Sequence, residues 1–402
     1  MEFKISKKAN MLTMVLMIVG VVFTGIGVAI ELSSAENHLA QRFLANLLVD
    51  GFFFFGIGLG ALFFLALVYA TETAWYVAIK RIVESVAMYI PYGAGILLVA
   101  LLIITFLDGA HIYLWMDSSH TDINSPHYDF LIDKKSAYMN KIFFWIRTLM
   151  YIGIYILFLR GFRNRSLQED EIGGTDIHFK NYRKGATFLV FFAVFSTTSA
   201  WDWIMSIDIH WFSTLFGWYV FSGIWVSAMV TLVVLTLYLR HKGYLPHVND
   251  SHIHDITTWM FAISFLWSYL WFSQYMLIWY SNIPEEVTYY MTRIEHYKIS
   301  FFGMFFINFV FPMLILMSRD AKRTPYVIIF VGLIIFFGHW MDVYIMVMAG
   351  SMGEHAKIGF LEIGMLLAVF GFFIRVILTN LTKAPLMVKN HPYLDESLHH
   401  HI

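Results

Sequence analysis

The sequence predicts an all-α membrane protein with about ten transmembrane helices, and three observations support this prediction. Hydrophobic residues make up 59% of the 402 positions and charged residues only 14%, far from the balance of a water-soluble domain. Mostly apolar segments of about 20 residues, the length that crosses a bilayer core, recur along the whole chain. No stretch alternates polar and apolar residues in the short units of a membrane β-barrel.

The same segments give the expected helix positions and orientation. The first follows three lysines, as a signal peptide would, but its length and its lack of a small-residue cleavage site favour a retained helix. Most of the 27 Lys and Arg residues fall in alternate connections, on the side of the N-terminus. The positive-inside rule makes this side cytoplasmic, so we expect a bacterial inner-membrane protein with both termini in the cytoplasm. The predicted segments are 11–30, 48–70, 87–107, 142–161, 185–207, 213–239, 256–281, 297–318, 325–349 and 357–379.

The composition also limits the cofactors. The chain contains no cysteine, which excludes thiolate-bound iron–sulfur clusters, covalently attached haem c and disulfides. A net charge of −1 gives no reason to expect nucleic-acid binding. Few of the 17 histidines fall deep inside predicted helices, whereas membrane haems need several deep axial ligands. We therefore expect no cofactor bound covalently or through cysteine, and no metal site.

Ionisable residues inside predicted helices are the candidate functional residues, because each costs about 2.5 to 3.5 kcal/mol at the membrane centre. The fifth helix contains Asp202 within FSTTSAWDWIMSID, where hydroxyl side chains share its stripe and lead towards Asp208 and His210. Such a stripe is suited to proton transfer along hydrogen-bonded groups. Hydroxyls in helices also often bond back to their own backbone, so a structural interpretation stays open.

The ninth helix contains His339 and Asp342, which are three residues apart and hence on one face. Two interpretations are open: a neutralised pair that joins two helices, or a proton relay. Glu362, in the last helix, falls in the half of the membrane away from the N-terminus and completes the candidates for proton transfer.

A second group of polar residues lies in the same outer half of the membrane. Asp108 and His111 end the third helix, and Arg147 lies in the fourth. Together they are candidates for a pocket that binds a quinone head group near the outer surface. The alternative is a set of interfacial side chains that extend to water. The apolar composition implies lipid contacts in either case.

Two stretches resemble a known family. SAWDWIMSIDIHWFSTLFGWYVFSG (199–223) resembles the junction of the fifth and sixth helices in the NrfD-like, or polysulfide-reductase membrane-subunit, superfamily. KKSAYMNKIFFWIRTLMYIGIYILFLRGFRNRSLQEDE (134–171) resembles the second NrfD-like subunit of bacterial alternative complex III, a quinol:cytochrome c oxidoreductase. The resemblance covers essentially the whole chain. The residues that carry it in the second stretch are Lys135, Tyr138, Asn140, Arg147, Tyr151, Ser166, Gln168 and Asp170.

This resemblance implies a single integral membrane domain over 1–402, with four-helix bundles at about 48–210 and 213–349 and a cytoplasmic tail at 380–402. It also implies partners: a paralogous NrfD-like membrane subunit, an iron–sulfur subunit and c-type cytochrome subunits. In this family the quinol-binding site is attributed to the paralogue, where a His and an Asp serve the quinol head. Here Asp202 stands in the fifth helix without the expected His nearby.

The expected function is therefore that of a non-catalytic membrane subunit of the oxidoreductase, with a proton-conducting half-channel, a quinone pocket or both. A purely structural anchor is an alternative, in which the buried polar groups are satisfied pairwise. A secondary transporter is a weaker alternative, because the sequence has Pro91 and Pro312 but no convincing inverted repeat.

Overall fold

The computed structural model describes residues 2–34, 38–107 and 111–401, which form helices joined by turns and include no β-strand. Among these residues, ten helical segments are long and apolar enough to cross a membrane. The predicted all-α, multi-pass membrane fold is therefore confirmed. The α-helices are α1 (Lys7–Leu32), α2 (Leu39–Ala70), α3 (Lys80–Ala87), α4 (Ile90–Phe106), α5 (Phe130–Lys135), α6 (Lys141–Ile172), α7 (Asp176–Trp203), α8 (Leu215–His241), α9 (Asp250–Ser281), α10 (Pro284–Phe305), α11 (Phe311–Leu316), α12 (Pro325–Met352), α13 (Phe360–Leu381) and α14 (Leu394–Leu398).

Two of the ten membrane-length segments contain more than one α-helix. A short 3-10 turn, α3 and α4 together form the third segment, Trp75–Phe106. The eighth segment, Pro284–Leu316, consists of α10, a π-helical turn at Phe306–Val310 and α11. This π turn ends two residues before Pro312, which lacks the backbone N–H of a regular helix. The helix near Pro312 is therefore irregular through a local change in helix type.

Several helices begin earlier than their apolar segments. α2 starts at Leu39 rather than near 48, and α7 starts at Asp176 rather than near 185. The added residues of α7, DIHFKNYRK, are mostly polar. Hydropathy marks only the part of a helix suited to the lipid core, whereas backbone hydrogen bonding continues through the interfacial turns.

α2 is the central helix and packs against α4, α7, α8, α12 and α13. Glycines allow this close approach. A Cβ atom added at Gly60 would lie 2.9 Å from the Cβ atom of Ala228 in α8, and one at Gly93 in α4 would lie 2.9 Å from the Phe55 Cα atom. Glycine therefore permits close helix packing at both positions, whereas a Cβ atom at Gly95 would meet nothing within 4 Å.

The first and last membrane-length helices, α1 and α13, form an extensive pair beside the central bundle. A Cβ atom at Gly20 of α1 would lie 2.3 Å from the Ala368 backbone nitrogen. One at Gly364 of α13 would lie 2.4 Å from the Thr24 backbone nitrogen. The two backbones are therefore in direct contact, and any side chain larger than hydrogen at these positions would separate them.

Both ends of the described chain lie at the same end of the bundle. The Tyr244 hydroxyl donates to the Lys4 carbonyl over 3.4 Å, beside the turn that joins α8 and α9. At the start of α9, the Asn249 amide donates to the His400 carbonyl over 2.7 Å, and His400 Nε2 lies 2.7 Å from Asp255 Oδ2. We call this end the terminal face and the other end the opposite face.

The C-terminal segment after α13 is folded onto the terminal face. The Ser397 hydroxyl donates to the Trp75 carbonyl over 2.9 Å and accepts from the Ala78 backbone N–H over 3.0 Å. His391 is only 4% exposed. Burial, helped by the positive charge of Lys80, lowers the pKa of His391 to about 2, so its imidazole is neutral at neutral pH.

Candidate functional site

Asp342 is a buried carboxylate near the middle of α12, just on the side of the opposite face. It accepts hydrogen bonds from the Tyr219 hydroxyl in α8 and from the Trp267 indole N–H in α9, the latter over 3.0 Å. Within the described part of the chain, no basic side chain forms an ion pair with Asp342. Its charge is therefore met by neutral donors alone.

His339 lies one turn before Asp342 on the same face of α12, as the spacing predicts. Neither of its ring nitrogens has a hydrogen-bond partner among the described residues, although the side chain is buried. Its ring stands edge-on to the Trp267 ring, with centroids 5.2 Å apart. His339 and Asp342 therefore share a face without bonding directly to each other.

A small cavity connects the two residues. His339 and Asp342 border a space of about 10 Å³ that is also lined by Phe52, Gly223 and Ser227. This volume holds about one water molecule. Water there would have the orphaned imidazole nitrogens and the carboxylate as polar neighbours.

Further uncompensated polar groups pack against α12. Both amide atoms of Asn308, in the π turn, lack a hydrogen-bond partner among the described residues. The Asn308 side chain occupies the space left by Gly338, where an added Cβ atom would lie 1.9 Å from its Oδ1. On α2, Asp50 accepts from the Trp340 indole N–H over 2.8 Å through one oxygen, and its other oxygen is unpartnered in the described structure.

Sequence reasoning missed the partners that define this polar cluster. Three aromatic residues donate hydrogen bonds to the carboxylates of this cluster: Tyr219, Trp267 and Trp340. In the sequence they resemble other aromatic residues of apolar helices, and their spacing does not reveal these contacts. The sequence does contain a signal for Asn46 as a member of this cluster. Asn46 lies four residues before Asp50 in an otherwise apolar helix, and hence on the same face. Both amide atoms of Asn46 are buried without a described partner.

Asp202, in contrast, is held by an arginine. Arg147 in α6 donates from Nε to one carboxylate oxygen over 2.7 Å and from Nη2 to the other over 2.9 Å. The Tyr151 hydroxyl donates to the same carboxylate over 3.0 Å. The guanidinium also stacks on the Tyr138 ring, 3.8 Å from its centroid. The structure thus brings together Asp202 and Arg147, two predicted site residues, in one buried ion pair.

The hydroxyls near Asp202 bond within their own helix or turn. The Thr198 hydroxyl donates to the Val194 carbonyl over 3.0 Å, and the Ser206 hydroxyl donates to the Asp202 carbonyl over 2.6 Å. Of the two interpretations left open by the sequence, the described hydrogen bonds match back-bonding to the helix.

The two candidates that follow Asp202 separate from it. Asp208 accepts from Arg293 over 3.0 Å, and this buried guanidinium stacks on the Tyr289 ring at 3.4 Å. His210 lies 3.1 Å from an Asp129 carboxylate oxygen, and its side chain is 44% exposed. His210 is therefore a surface residue near the opposite face, whereas Asp208 belongs to an arginine-centred contact between helices.

Glu362 also binds an arginine. Arg42 of α2 donates to both oxygens of Glu362 in α13, over 2.6 and 2.7 Å, and to Glu31 of α1 over 2.6 Å. All three side chains are buried. This triad joins the α1–α13 pair to the central helix near the opposite face, and it carries one excess negative charge.

No family model matches this chain, and no curated protein matches it. The contacts of the buried residues are therefore the basis for a functional assignment. Apart from the exposed His210, which lies beside Asp129, the predicted proton-transfer residues fall into two groups. Asp202, Asp208 and Glu362 bind arginines, whereas His339 and Asp342 have no charged partner in the described structure.

The residues predicted for a quinone pocket do not form one described site. Asp108 lies outside the described residues. His111 lines a cavity of about 570 Å³ near the opposite face, together with Trp115 and Asp117, but Arg147 is not part of that lining. Arg147 instead lies beside another cavity, because Tyr138, which stacks on its guanidinium, lines a space of about 280 Å³.

This second cavity has a mixed lining. Lys134 and Lys135 contribute cationic side chains, while Met205 and Trp211 contribute apolar ones. The Lys135 ammonium donates to the Ile209 carbonyl over 2.5 Å, and burial lowers its pKa. The cavity thus combines cationic and apolar side chains at one site.

Proposed function

We propose that this chain is an integral membrane subunit of a quinol:cytochrome c oxidoreductase of the alternative complex III type, and that it moves protons through Asp342 and His339. The resemblance of residues 134–171 and 199–223 to that family supports the assignment to the complex. The absence of cysteine supports a subunit that relies on partners for iron–sulfur and haem centres.

The observation that carries the proton-transfer role is the environment of Asp342. A buried carboxylate without a cationic neighbour is costly in its charged form, and binding a proton removes that cost. Tyr219 and Trp267 fix the carboxylate in position without supplying a compensating charge. Asp342 is therefore suited to bind and release a proton within the helix bundle.

His339 provides the next step of the proposed path. A neutral imidazole accepts a proton at one nitrogen while it donates from the other, and both nitrogens of His339 are free of described partners. A water molecule in the adjoining cavity would connect the ring with the carboxylate. The path then involves His339, one water and Asp342, in the half of the bundle towards the opposite face.

The arginine-bound carboxylates take a different role in this proposal. Arg147 neutralises Asp202 through two hydrogen bonds. Arg42 binds both oxygens of Glu362 and also binds Glu31. We assign these groups to positioning the helices, together with Asp208. The cavity beside Arg147 is the proposed quinone-head site of this chain, because it combines apolar walls with Lys135 and Tyr138.

In the proposed setting, the terminal face is cytoplasmic and the membrane is a bacterial inner membrane. The basic residues of the connections at that face support this orientation. The partners would then be a paralogous NrfD-like subunit within the membrane, and an iron–sulfur subunit and c-type cytochromes at the opposite face.

Asp342→Asn tests the proposal. The assembled complex, purified through a tag on this chain, would be assayed in sealed vesicles for quinol:cytochrome c turnover and for proton movement. We expect Asp342→Asn to reduce proton movement per turnover while assembly is retained. The matched control is Asp250→Asn, because Asp250 forms an exposed pair with Arg240 at the start of α9.

A purely structural anchor is the second candidate, and the pairing of Asp202, Asp208 and Glu362 with arginines favours it. If Asp342→Asn and Asp250→Asn behave alike in an assembled complex, the anchor is the better assignment. A tag on this chain that co-purifies no redox subunits would contradict membership of the oxidoreductase itself.

A further inference from the structure

Three buried side chains from separate parts of the chain meet at the terminal face. Glu169 lies near the end of α6, His178 lies in the first turns of α7, and His391 lies in the segment between α13 and α14. One potential ligand atom from each residue lies within 4.8 Å of the other two. Their exposed fractions are 1%, 3% and 4%. We call these residues the tail cluster.

Each member of the tail cluster keeps a polar atom without a described hydrogen-bond partner. These atoms are Oε1 of Glu169, Nδ1 of His178 and Nε2 of His391. Buried polar atoms are normally paired, so three orphaned atoms in one small region require a specific explanation. A bound cation would provide it, because it accepts electron pairs from carboxylate oxygen and imidazole nitrogen at once.

Charged groups of both signs lie around the cluster. The Lys80 ammonium binds Oε2 of Glu169 at 2.6 Å and leaves Oε1 available. A second carboxylate, that of Glu72, lies 3.4 Å from His178 Nε2. Two carboxylates and one ammonium leave an excess negative charge. The neighbouring Arg81 is already bound by Glu84 and Asp170.

We propose that Glu169, His178 and His391 bind one divalent transition-metal ion, for which Zn²⁺ is the best match. Two imidazoles and one carboxylate are a common zinc ligand set, with a water molecule in the fourth position. Ligand distances of about 2.0 to 2.2 Å place tetrahedral ligand atoms roughly 3.4 Å apart. The side chains therefore have to draw together slightly when the ion binds.

Metal binding through Nε2 of His391 also requires the ring hydrogen to move to the other nitrogen. Nδ1 of His391 accepts a hydrogen bond from the Tyr393 backbone N–H over 3.2 Å. If Nε2 binds the ion, the ring hydrogen moves to Nδ1 and this hydrogen bond is replaced by the metal–ligand bond. The ion would then hold the segment around His391 against the ends of α6 and α7.

Metal content tests the site directly. The full chain would be purified in detergent through an affinity tag that needs no metal, dialysed against buffered Zn²⁺ and analysed for zinc. We expect about one zinc per chain in the wild type and in His391→Cys, since a thiolate also binds zinc, and loss of that zinc in His391→Asn. The control is His399→Asn, because the His399 side chain is 76% exposed and lies outside the cluster.

A second readout separates loss of the site from misfolding. Zn²⁺ should slow proteolysis of the C-terminal segment in the wild type and in His399→Asn, but not in His391→Asn or Glu169→Gln. Three results would overturn the proposal. The first is wild-type protein that retains no more zinc than His391→Asn, and the second is equal zinc loss in His399→Asn. Retention of zinc in both His391→Asn and Glu169→Gln would likewise assign the metal elsewhere.

Discussion

The Arg147 guanidinium in α6 binds both carboxylate oxygens of Asp202 in α7, at 2.7 and 2.9 Å. The pair is buried, and the Tyr151 hydroxyl completes the shell around the carboxylate. Two helices that are adjacent in sequence are therefore joined near the opposite face by a contact whose charges cancel.

Removing one residue of this ion pair should lower the stability of the protein far more than removing both. Arg147→Ala leaves a buried carboxylate unmatched, and we expect it to lower the free energy of unfolding by about 3 to 5 kcal/mol. The double variant Arg147→Met/Asp202→Leu should recover much of that loss. Thermal unfolding in detergent measures both effects. Arg240→Ala, at an exposed pair, should cost less than about 1 kcal/mol.

The sequence allowed the ten helices to be predicted, because apolar runs of membrane length are a local property. It also identified His339, Asp342 and Asp202 as residues that need an explanation. It did not reveal which of them are neutralised. Arg147 is 55 residues from Asp202, and only the packing of α6 on α7 makes it a partner. The site of His339 and Asp342 has no arginine partner among the described residues. Nothing in the sequence distinguishes this site from that of Asp202.

A larger sequence gap separates Arg42 from Glu362, which bind each other 320 residues apart. The charges of this triad are unequal, because Arg42 is shared with Glu31. We expect Glu31→Gln to change the free energy of unfolding by less than about 1 kcal/mol, since it leaves a balanced Arg42–Glu362 pair. Arg42→Met should cost about 3 to 5 kcal/mol, since it leaves two buried carboxylates together.

Thermal unfolding of the two single variants would check this order. The triple variant Glu31→Gln/Arg42→Met/Glu362→Gln is the control for loss of side-chain volume. Equal destabilisation by Glu31→Gln and Arg42→Met would contradict the charge argument.

Glycine at position 20 is required by the contact between α1 and α13. A Cβ atom there would lie 2.3 Å from the Ala368 backbone nitrogen, which cannot move without moving the helix. We expect Gly20→Ala to separate the two helices and lower the temperature of unfolding. Gly25→Ala is a matched control on the same helix, because a Cβ atom at Gly25 meets nothing within 4 Å. It should leave stability unchanged or raise it by up to about 1 kcal/mol.

Removing the Tyr219 hydroxyl distinguishes a proton-transfer role of Asp342 from a packing role. Tyr219→Phe keeps the ring and removes one of the two neutral donors to the carboxylate. Loss of a donor to a buried acceptor costs about 1 to 3 kcal/mol, which alone would lower thermal stability. If Asp342 exchanges protons, loss of the hydrogen bond changes the free energies of its charged and neutral forms by different amounts. The pH dependence of proton movement should then shift. Tyr269→Phe is the control, because Tyr269 is 60% exposed on α9. A loss of stability in Tyr219→Phe with an unchanged pH profile would assign the Tyr219–Asp342 contact to packing alone.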